Sequence, residues 1–124
     1  MPDSIYRILI VDDVIDNLFL LQTLLEIEGY EVECADSGQS AIKKAESFSP
    51  HLILLDFMMP GMNGDEVVRQ IRDSKKNPDI PIFLVTAYEE LELIKSLASQ
   101  VEEIIRKPID FENLLLLIKG FISD

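Results

Sequence analysis

Short apolar runs recur along the chain, and a helical stretch separates each run from the next. The runs cover residues 6–11, 31–35, 52–55, 82–85 and 101–106. Runs 52–55 and 82–85 are apolar throughout, which is typical of central strands in a parallel sheet with helices on both faces. Run 31–35 alternates apolar and charged residues, as expected of a short strand.

A predicted helix follows each of these runs. Gly29 is a C-terminal stop signal for the first helix, and Ser37 and Asp110 are suited to be the N-caps of the second and the fifth. We expect helices over residues 14–28, 38–47, 63–74, 89–99 and 111–124.

The repeated alternation of strand and helix predicts the α/β fold class. Right-handed crossovers and short connections leave few topologies, and the order 2-1-3-4-5 fits best. We therefore expect one flavodoxin-like, doubly wound (βα)5 domain over residues 1–124, with a five-stranded parallel sheet and helices on both faces.

Polar residues stand where four of the predicted strands end. They are Asp12, Asp13, Asp56, Thr86 and Lys107. In an open parallel sheet the site lies beyond the carboxyl ends of the strands, where the strand order reverses. The order 2-1-3-4-5 places the ends of the first and third strands side by side, so the three acids become neighbours.

This set of residues suits a divalent cation and a phosphoryl group. Clustered carboxylates repel one another and are stabilised by a cation, and ligands that are all oxygen favour Mg²⁺ or Mn²⁺ over zinc. We expect either Asp12 or Asp13 to bind the ion directly and the other through water. Asp56, partly neutralised, can attack phosphorus, while Lys107 and Thr86 neutralise and bind the phosphoryl oxygens.

Each of these residues also has an ordinary interpretation when taken alone. An Asp-Asp pair is often a solvated turn, and a strand-end threonine or a surface lysine needs no special role. Their joint position at strand ends argues for a site.

The sequence resembles the receiver domain of bacterial two-component response regulators over essentially its whole length. The resemblance rests on Val11-Asp12-Asp13, the stretch from Asp56 to Gly64, Thr86-Ala87 and Lys107-Pro108. It implies that Asp56 is the phosphoacceptor, and that the donor is a histidine kinase or the histidine of a phosphotransfer protein. It further implies Asp12, Asp13, Asp56 and the backbone carbonyl of Met58 as metal ligands. Thr86 and Lys107 would bind phosphoryl oxygens, and the peptide bond before Pro108 would be cis.

Some positions differ from the family pattern or tune it. Ile104 stands where receivers carry a switch Tyr or Phe, so we expect phosphorylation to cause a small or unusual conformational change. Ser99-Gln100 replaces the usual Ala-Gly pair, and the segment between Thr86 and Lys107 is one residue short. Met58 and Tyr88 occupy the positions that tune phosphate lifetime in the family, and their bulk is expected to slow hydrolysis.

Composition narrows the range of partners. The net charge of −12 argues against direct nucleic-acid binding, which depends on clustered Lys and Arg. No apolar run approaches the roughly 20 residues of a membrane helix, so no membrane association is expected. The single cysteine, Cys34, excludes an internal disulfide, and a cytoplasmic location is the default expectation.

Three other functional classes were weighed against a signalling receiver. A phosphohydrolase of the haloacid dehalogenase type needs an acid two residues after the nucleophile, where this chain has Met58. A flavodoxin needs a Ser/Thr-rich phosphate loop after the first strand instead of Asp12-Asp13. A receiver-like adaptor that acts without phosphorylation stays open. We therefore do not expect an enzyme that turns over external substrates. The domain is expected to catalyse only its own Mg²⁺-dependent phosphorylation and dephosphorylation.

Excess apolar residues on two helices predict protein contacts. The first helix has more apolar positions than one core-facing stripe requires, and so has the fifth. A homodimer through the fourth helix, fifth strand and fifth helix is expected. No effector domain is recognised in the chain, so a stand-alone receiver and the amino-terminal part of a longer regulator both remain open.

Overall fold

Five parallel strands form one sheet with the order β2-β1-β3-β4-β5. The computed structural model describes residues 5–87, 92 and 94–123. The strands are β1 (Arg7–Val11), β2 (Glu31–Ala35), β3 (Leu52–Asp56), β4 (Ile82–Thr86) and β5 (Glu103–Arg106). The predicted fold class and strand order are confirmed.

Four α-helices and one 3₁₀ helix lie on the described part of the chain. They are α1 (Ile15–Ile27), α2 (Gly38–Ser47), α3 (Gly64–Asp73), the 3₁₀ helix (Lys95–Gln100) and α4 (Phe111–Phe121), which is the predicted fifth helix. Both predicted N-caps are confirmed, because Ser37 Oγ accepts from the Ser40 amide and the Asp110 carboxylate from the Asn113 amide, each at 3.2 Å.

The expected α-helix over residues 89–99 needs a correction where the structure describes it. Much of its first half lies outside the described residues, and the second half is the 3₁₀ helix, which extends to Gln100. Ile94 and Leu97 are three residues apart and both buried. A period of three residues per turn puts such a pair on one face, so the 3₁₀ form brings both into the core.

Helices cover both faces of the sheet, and alternate strand residues point to each face. One apolar cluster joins the sheet to α2, α3 and the 3₁₀ helix, and it includes Leu55, Val67 and Leu97. The other cluster joins the sheet to α1 and α4. Since β3 and β4 are buried along their whole length, the strand ends that carry the polar residues have a rigid base. Among the described helices, none combines the length and the apolar character that spanning a bilayer requires.

Arg72, near the end of α3, connects three segments by hydrogen bonds. Its guanidinium donates to the carboxylate of Glu102 at 3.1 Å, and this carboxylate also accepts from the backbone amide of Ile82 at 2.7 Å. The guanidinium donates further, at 2.7–3.0 Å, to the backbone carbonyls of Pro78, Ile80 and Gln100. We call these contacts the Arg72 clasp. It fixes the turn before β5, where Ser99-Gln100 replaces the family's Ala-Gly pair.

Replacing Arg72 with Met is expected to destabilise the fold. The side chain of Arg72 is only 17% exposed, so its removal leaves several carbonyls and the Glu102 carboxylate without a charged donor. We expect a loss of about 2 kcal/mol, because hydrogen bonds to charged groups contribute more than neutral ones. Urea unfolding followed by circular dichroism measures this loss.

Arg69→Met is the matched control for this prediction. Arg69 lies one turn earlier on α3, is 60% exposed and pairs only with Glu66 among the contacts given for it. Such surface pairs contribute well under 1 kcal/mol. Equal losses in the two variants would contradict a specific role for the Arg72 clasp.

Candidate functional site

Three carboxylates meet at the carboxyl edge of β1 and β3. Asp12 and Asp13 follow β1, and Asp56 is the last residue of β3, the strand that pairs with β1. One oxygen from each of the three lies within 4.8 Å of the others. Asp12 and Asp56 are only 6% and 5% exposed, whereas Asp13 is exposed to solvent. The predicted convergence of the three acids is confirmed.

Two donors hold the carboxylate of Asp12 in place. The backbone amide of Val14 donates to its Oδ1 at 2.9 Å, and the side-chain amide of Asn17 donates to its Oδ2 at 3.1 Å. Asn17 lies in the first turn of α1 and was not among the predicted site residues. Its signal in the sequence is a short polar side chain four residues after the acid pair, in the first turn of a largely apolar helix.

Asp56 is a buried acid with one cationic partner. The ammonium of Lys107 lies 3.3 Å from its Oδ1. The pKa of Asp56 is raised from 3.8 to about 6. Burial is the largest cause, the positive charge of Lys107 opposes the rise, and the negative charges of Asp12 and Asp13 contribute to it. Burial exceeds the attraction, so without a cation this carboxylate is ionised at neutral pH at a cost in free energy.

Thr86 and Lys107 complete the edge of the sheet beside Asp56. Asp56 pairs with Val85 across β3 and β4, and Thr86 is the next residue of β4 and fully buried. Its hydroxyl donates to the carbonyl of Ala87 at 3.2 Å. The backbone amide of Lys107 donates to the carbonyl of Thr86 at 2.9 Å, which places the lysine at this edge. The Lys107–Pro108 peptide bond is cis, as the resemblance implied.

The loop after Asp56 is tight and close to the site. Gly61 has a φ of +85°, and the amide of Met62 donates to the carbonyl of Pro60 at 3.0 Å, which closes a γ-turn centred on Gly61. The amide of Gly64 donates to the carbonyl of Phe57 at 2.7 Å, and a Cβ on Gly64 would lie 2.9 Å from the Phe57 backbone, so only glycine fits here. Met59 is buried, whereas Met58 is 46% exposed beside the acids.

Two further predicted positions lie away from the acids or outside the described set. Ile104 lies on the edge strand β5 with 36% of its surface exposed. Tyr88 lies outside the described residues, so its predicted role in phosphate lifetime stays a prediction.

Comparison with known proteins agrees with this geometry. Residues 8–119 match the response regulator receiver domain family. The chain belongs to this family. It is 42% identical over 105 residues to the response regulator PleD of Caulobacter vibrioides, covering 84% of this chain and 23% of PleD. It is 31% identical to the protein PilH of Pseudomonas aeruginosa, covering 94% of this chain and 98% of PilH.

A solved structure of the family extends the comparison to the metal site. The response regulator TrrA of Thermotoga maritima, in complex with Mg²⁺ and beryllium fluoride, is 37% identical, with a TM-score of 0.84 over 95% of this chain and all of that one. Receiver domains bind Mg²⁺ at an acidic pocket, and the oxygen-only cluster of Asp12, Asp13 and Asp56 fits that ion. The family is a signalling domain of two-component systems and not a conventional enzyme.

The raised pKa of Asp56 predicts a pH-dependent stability difference for Asp56→Asn in the presence of a chelator. The folded chain binds the proton of the Asp56 carboxyl group more tightly than the unfolded chain, so this proton stabilises the fold. The stabilisation is complete below pH 3.8 and is lost as the pH rises through about 6. The wild type has lost only part of this stabilisation at pH 4.5 and nearly all of it at pH 7.5. The stability advantage of the variant over the wild type should therefore be about 2 kcal/mol larger at pH 7.5 than at pH 4.5.

Urea unfolding at the two pH values measures this difference. Asp36→Asn, at an exposed acid after β2, is the control for removing one negative charge. Wild-type stability at pH 7.5 that equals or exceeds that of Asp56→Asn would show that the Asp56 carboxylate is not strained.

Proposed function

We propose that the chain accepts a phosphoryl group on Asp56 from a phosphohistidine and signals through protein contacts. The observation that carries this proposal is the position of Asp56. It is buried at the end of a central strand, beside two further carboxylates and 3.3 Å from the ammonium of Lys107. Phosphoryl transfer to a carboxylate requires that the carboxylate is held in position and that a cation neutralises the nearby charge. The position of Asp56 meets both requirements.

The transfer follows from the charges at the site. An oxygen of the ionised Asp56 attacks phosphorus and the bond from phosphorus to the donor nitrogen breaks. The electron pair of that bond stays on the leaving imidazole nitrogen, which takes a proton from water. Mg²⁺, when bound, supplies positive charge to the phosphoryl oxygens. The ammonium of Lys107 exchanges its contact with Asp56 for an oxygen of the bound phosphoryl group. The hydroxyl of Thr86 then donates to a second oxygen.

The remaining residues of the site hold and shield it. We assign Asp12, Asp13, Asp56 and the backbone carbonyl of Met58 as the protein ligands of the ion. The side chain of Met58, exposed beside the acids, covers the approach of the water that would hydrolyse the acyl phosphate. On this proposal, the domain catalyses only its own phosphorylation and dephosphorylation.

The donor protein docks, on this proposal, beside the site along α1. An apolar groove of about 590 Å³ runs from Asp12 and Lys107 between α1 and the segment before α4, and Leu20, Leu24 and Phe111 line it. On α1, the lining residue Leu20 is 57% exposed, and its neighbour Phe19 is 70% exposed. Because the groove is continuous with the acids, a histidine kinase or a phosphotransfer protein seated there would bring its histidine to Asp56.

A second surface is suited to a homodimer. Ile104 on β5, together with Leu116 (69% exposed) and Phe121 (43% exposed) on α4, leaves apolar area uncovered at the edge of the sheet. The alternative function, an adaptor that acts without phosphorylation, would bind its partner on the exposed faces of α1 and α4. The complete set of acids, threonine and lysine favours the phosphoacceptor function.

Intact mass spectrometry tests the phosphoacceptor directly. After incubation with Mg²⁺ and acetyl phosphate, we expect one phosphoryl adduct, because the small donor needs no docking surface. Asp56→Asn and a chelator-treated sample are the controls, and both should stay at the unmodified mass. No adduct from acetyl phosphate or from a phosphorylated histidine protein would support the adaptor function instead.

The proposed shielding by Met58 predicts a change in phosphate lifetime. Met58→Ser removes the bulk beside the acyl phosphate, so water approaches more easily and the half-life of the phosphorylated domain should fall several-fold. Met58→Leu is the matched control, since it keeps the bulk and should keep the half-life. Loss of the mass adduct with time measures both, and equal half-lives for the wild type and Met58→Ser would exclude the shielding role.

A further inference from the structure

The side-chain amide of Asn17 makes a contact that the chemistry of phosphoryl transfer does not use. It donates to Oδ2 of Asp12 at 3.1 Å, from the first turn of α1. We propose that Asn17 is a positioning residue for the divalent cation, which it serves by fixing the carboxylate of Asp12. This inference rests on the proposed role of Asp12 as a metal ligand.

The two hydrogen bonds on Asp12 together determine its orientation. The Val14 amide donates to Oδ1 at 2.9 Å, an Asx-turn contact two residues along the chain, and Asn17 donates to Oδ2. One bond alone leaves the carboxylate free to rotate about its Cβ–Cγ bond, whereas two bonds on different oxygens fix its plane. A carboxylate has about four lone-pair directions, so two remain for the ion or a bound water.

The chemistry of the amide group suits this position better than a charged donor. Three carboxylate oxygens lie within 4.8 Å of one another, and this crowding of negative charge is what attracts a cation. A lysine or arginine at position 17 would neutralise Asp12 and compete with the ion. A neutral amide stabilises the buried carboxylate and leaves the net charge of the site unchanged.

Helix stability does not explain an asparagine at this position. Asn17 is exposed and sits third in α1 after the N-cap Val14, and asparagine is a weaker helix former than alanine. The side-chain contact that the structure gives it is the one with Asp12. Replacing Asn17 with Ala should therefore leave the fold intact, because the higher helix propensity of alanine offsets part of the lost hydrogen bond to Asp12.

Calorimetric titration of the chain with Mg²⁺, without any phosphodonor, tests the proposal. Asn17→Ala should raise the dissociation constant by about tenfold, at the low end of the effect for residues that orient metal ligands. Its thermal midpoint in chelator should lie within a few degrees of that of the wild type, which shows that the fold is intact. Gln22→Ala is the matched control, because it also removes an amide from α1 but one that bonds Glu26 and Cys34 and not Asp12.

Asp12→Ala separates the failure of this inference from the failure of the proposed function. If Asp12→Ala loses Mg²⁺ affinity and Asn17→Ala does not, the metal role of Asp12 stands and the role of Asn17 is overturned. If Asp12→Ala binds Mg²⁺ like the wild type, both are overturned.

The double variant tests whether Asn17 acts through Asp12. In the Asp12→Ala background, the added Asn17→Ala change should have no further effect on the dissociation constant. An equal further weakening there, or an equal weakening by Gln22→Ala, would also overturn the inference.

Discussion

The confinement of three carboxylates at one edge of the sheet, two of them buried, is the constraint on which the rest of the structure depends. Together, burial, the attraction of Lys107 and the repulsion of Asp12 and Asp13 raise the pKa of Asp56 to about 6, and burial is the largest of these causes. A flexible scaffold would relax by moving the acids apart. Here β1 and β3 are neighbours in a fully packed sheet, so the carboxylates stay together and a cation relieves the strain.

The same constraint explains why the loops at this edge are tight. Gly64 lies against the backbone of Phe57, and Gly38 lies so close to Met62 that a Cβ would meet its Sδ at 2.7 Å. These contacts draw the loop after Asp56 onto α2 and leave little room for it to swing. On the proposed function, donor groups would therefore reach the acids from the side of α1, where the apolar groove opens.

Much of the fold and the convergence of the acids could be predicted from the sequence. Apolar runs determine strands, and the crossover rule determines their order, so polar residues at strand ends must meet. Asn17 and Arg72 could not be identified in this way. Their contacts depend on side-chain direction, and Arg72 reaches a carboxylate 30 positions away that no period of the sequence connects with it. The 3₁₀ helix was missed because it shares its apolar spacing with an α-helix.

Ile104 and the Arg72 clasp bear on how a signal would leave the site. Receivers of the family carry an aromatic ring at the position of Ile104, and this ring moves inward as the threonine hydroxyl shifts. Here an aliphatic side chain lies on the edge strand, and the clasp holds the start of β4 and the turn before β5 to α3. The opposite ends of these strands carry Thr86 and Lys107, which make none of the hydrogen bonds of the clasp.

Helix α1 carries the first exposed apolar surface, and α4 carries Leu116 and Phe121 of the second. These two helices cover the same face of the sheet. Phe111, at the start of α4, borders the groove along α1, whereas Phe121 lies at the other end of α4. Ten residues of α-helix span about 15 Å. A donor in the groove and a partner at the end of α4 would thus contact the same helix at separate turns. Displacement of Lys107 and Pro108 at the groove would reach α4 through its N-cap Asp110, a short route to the second surface that does not need the aromatic switch.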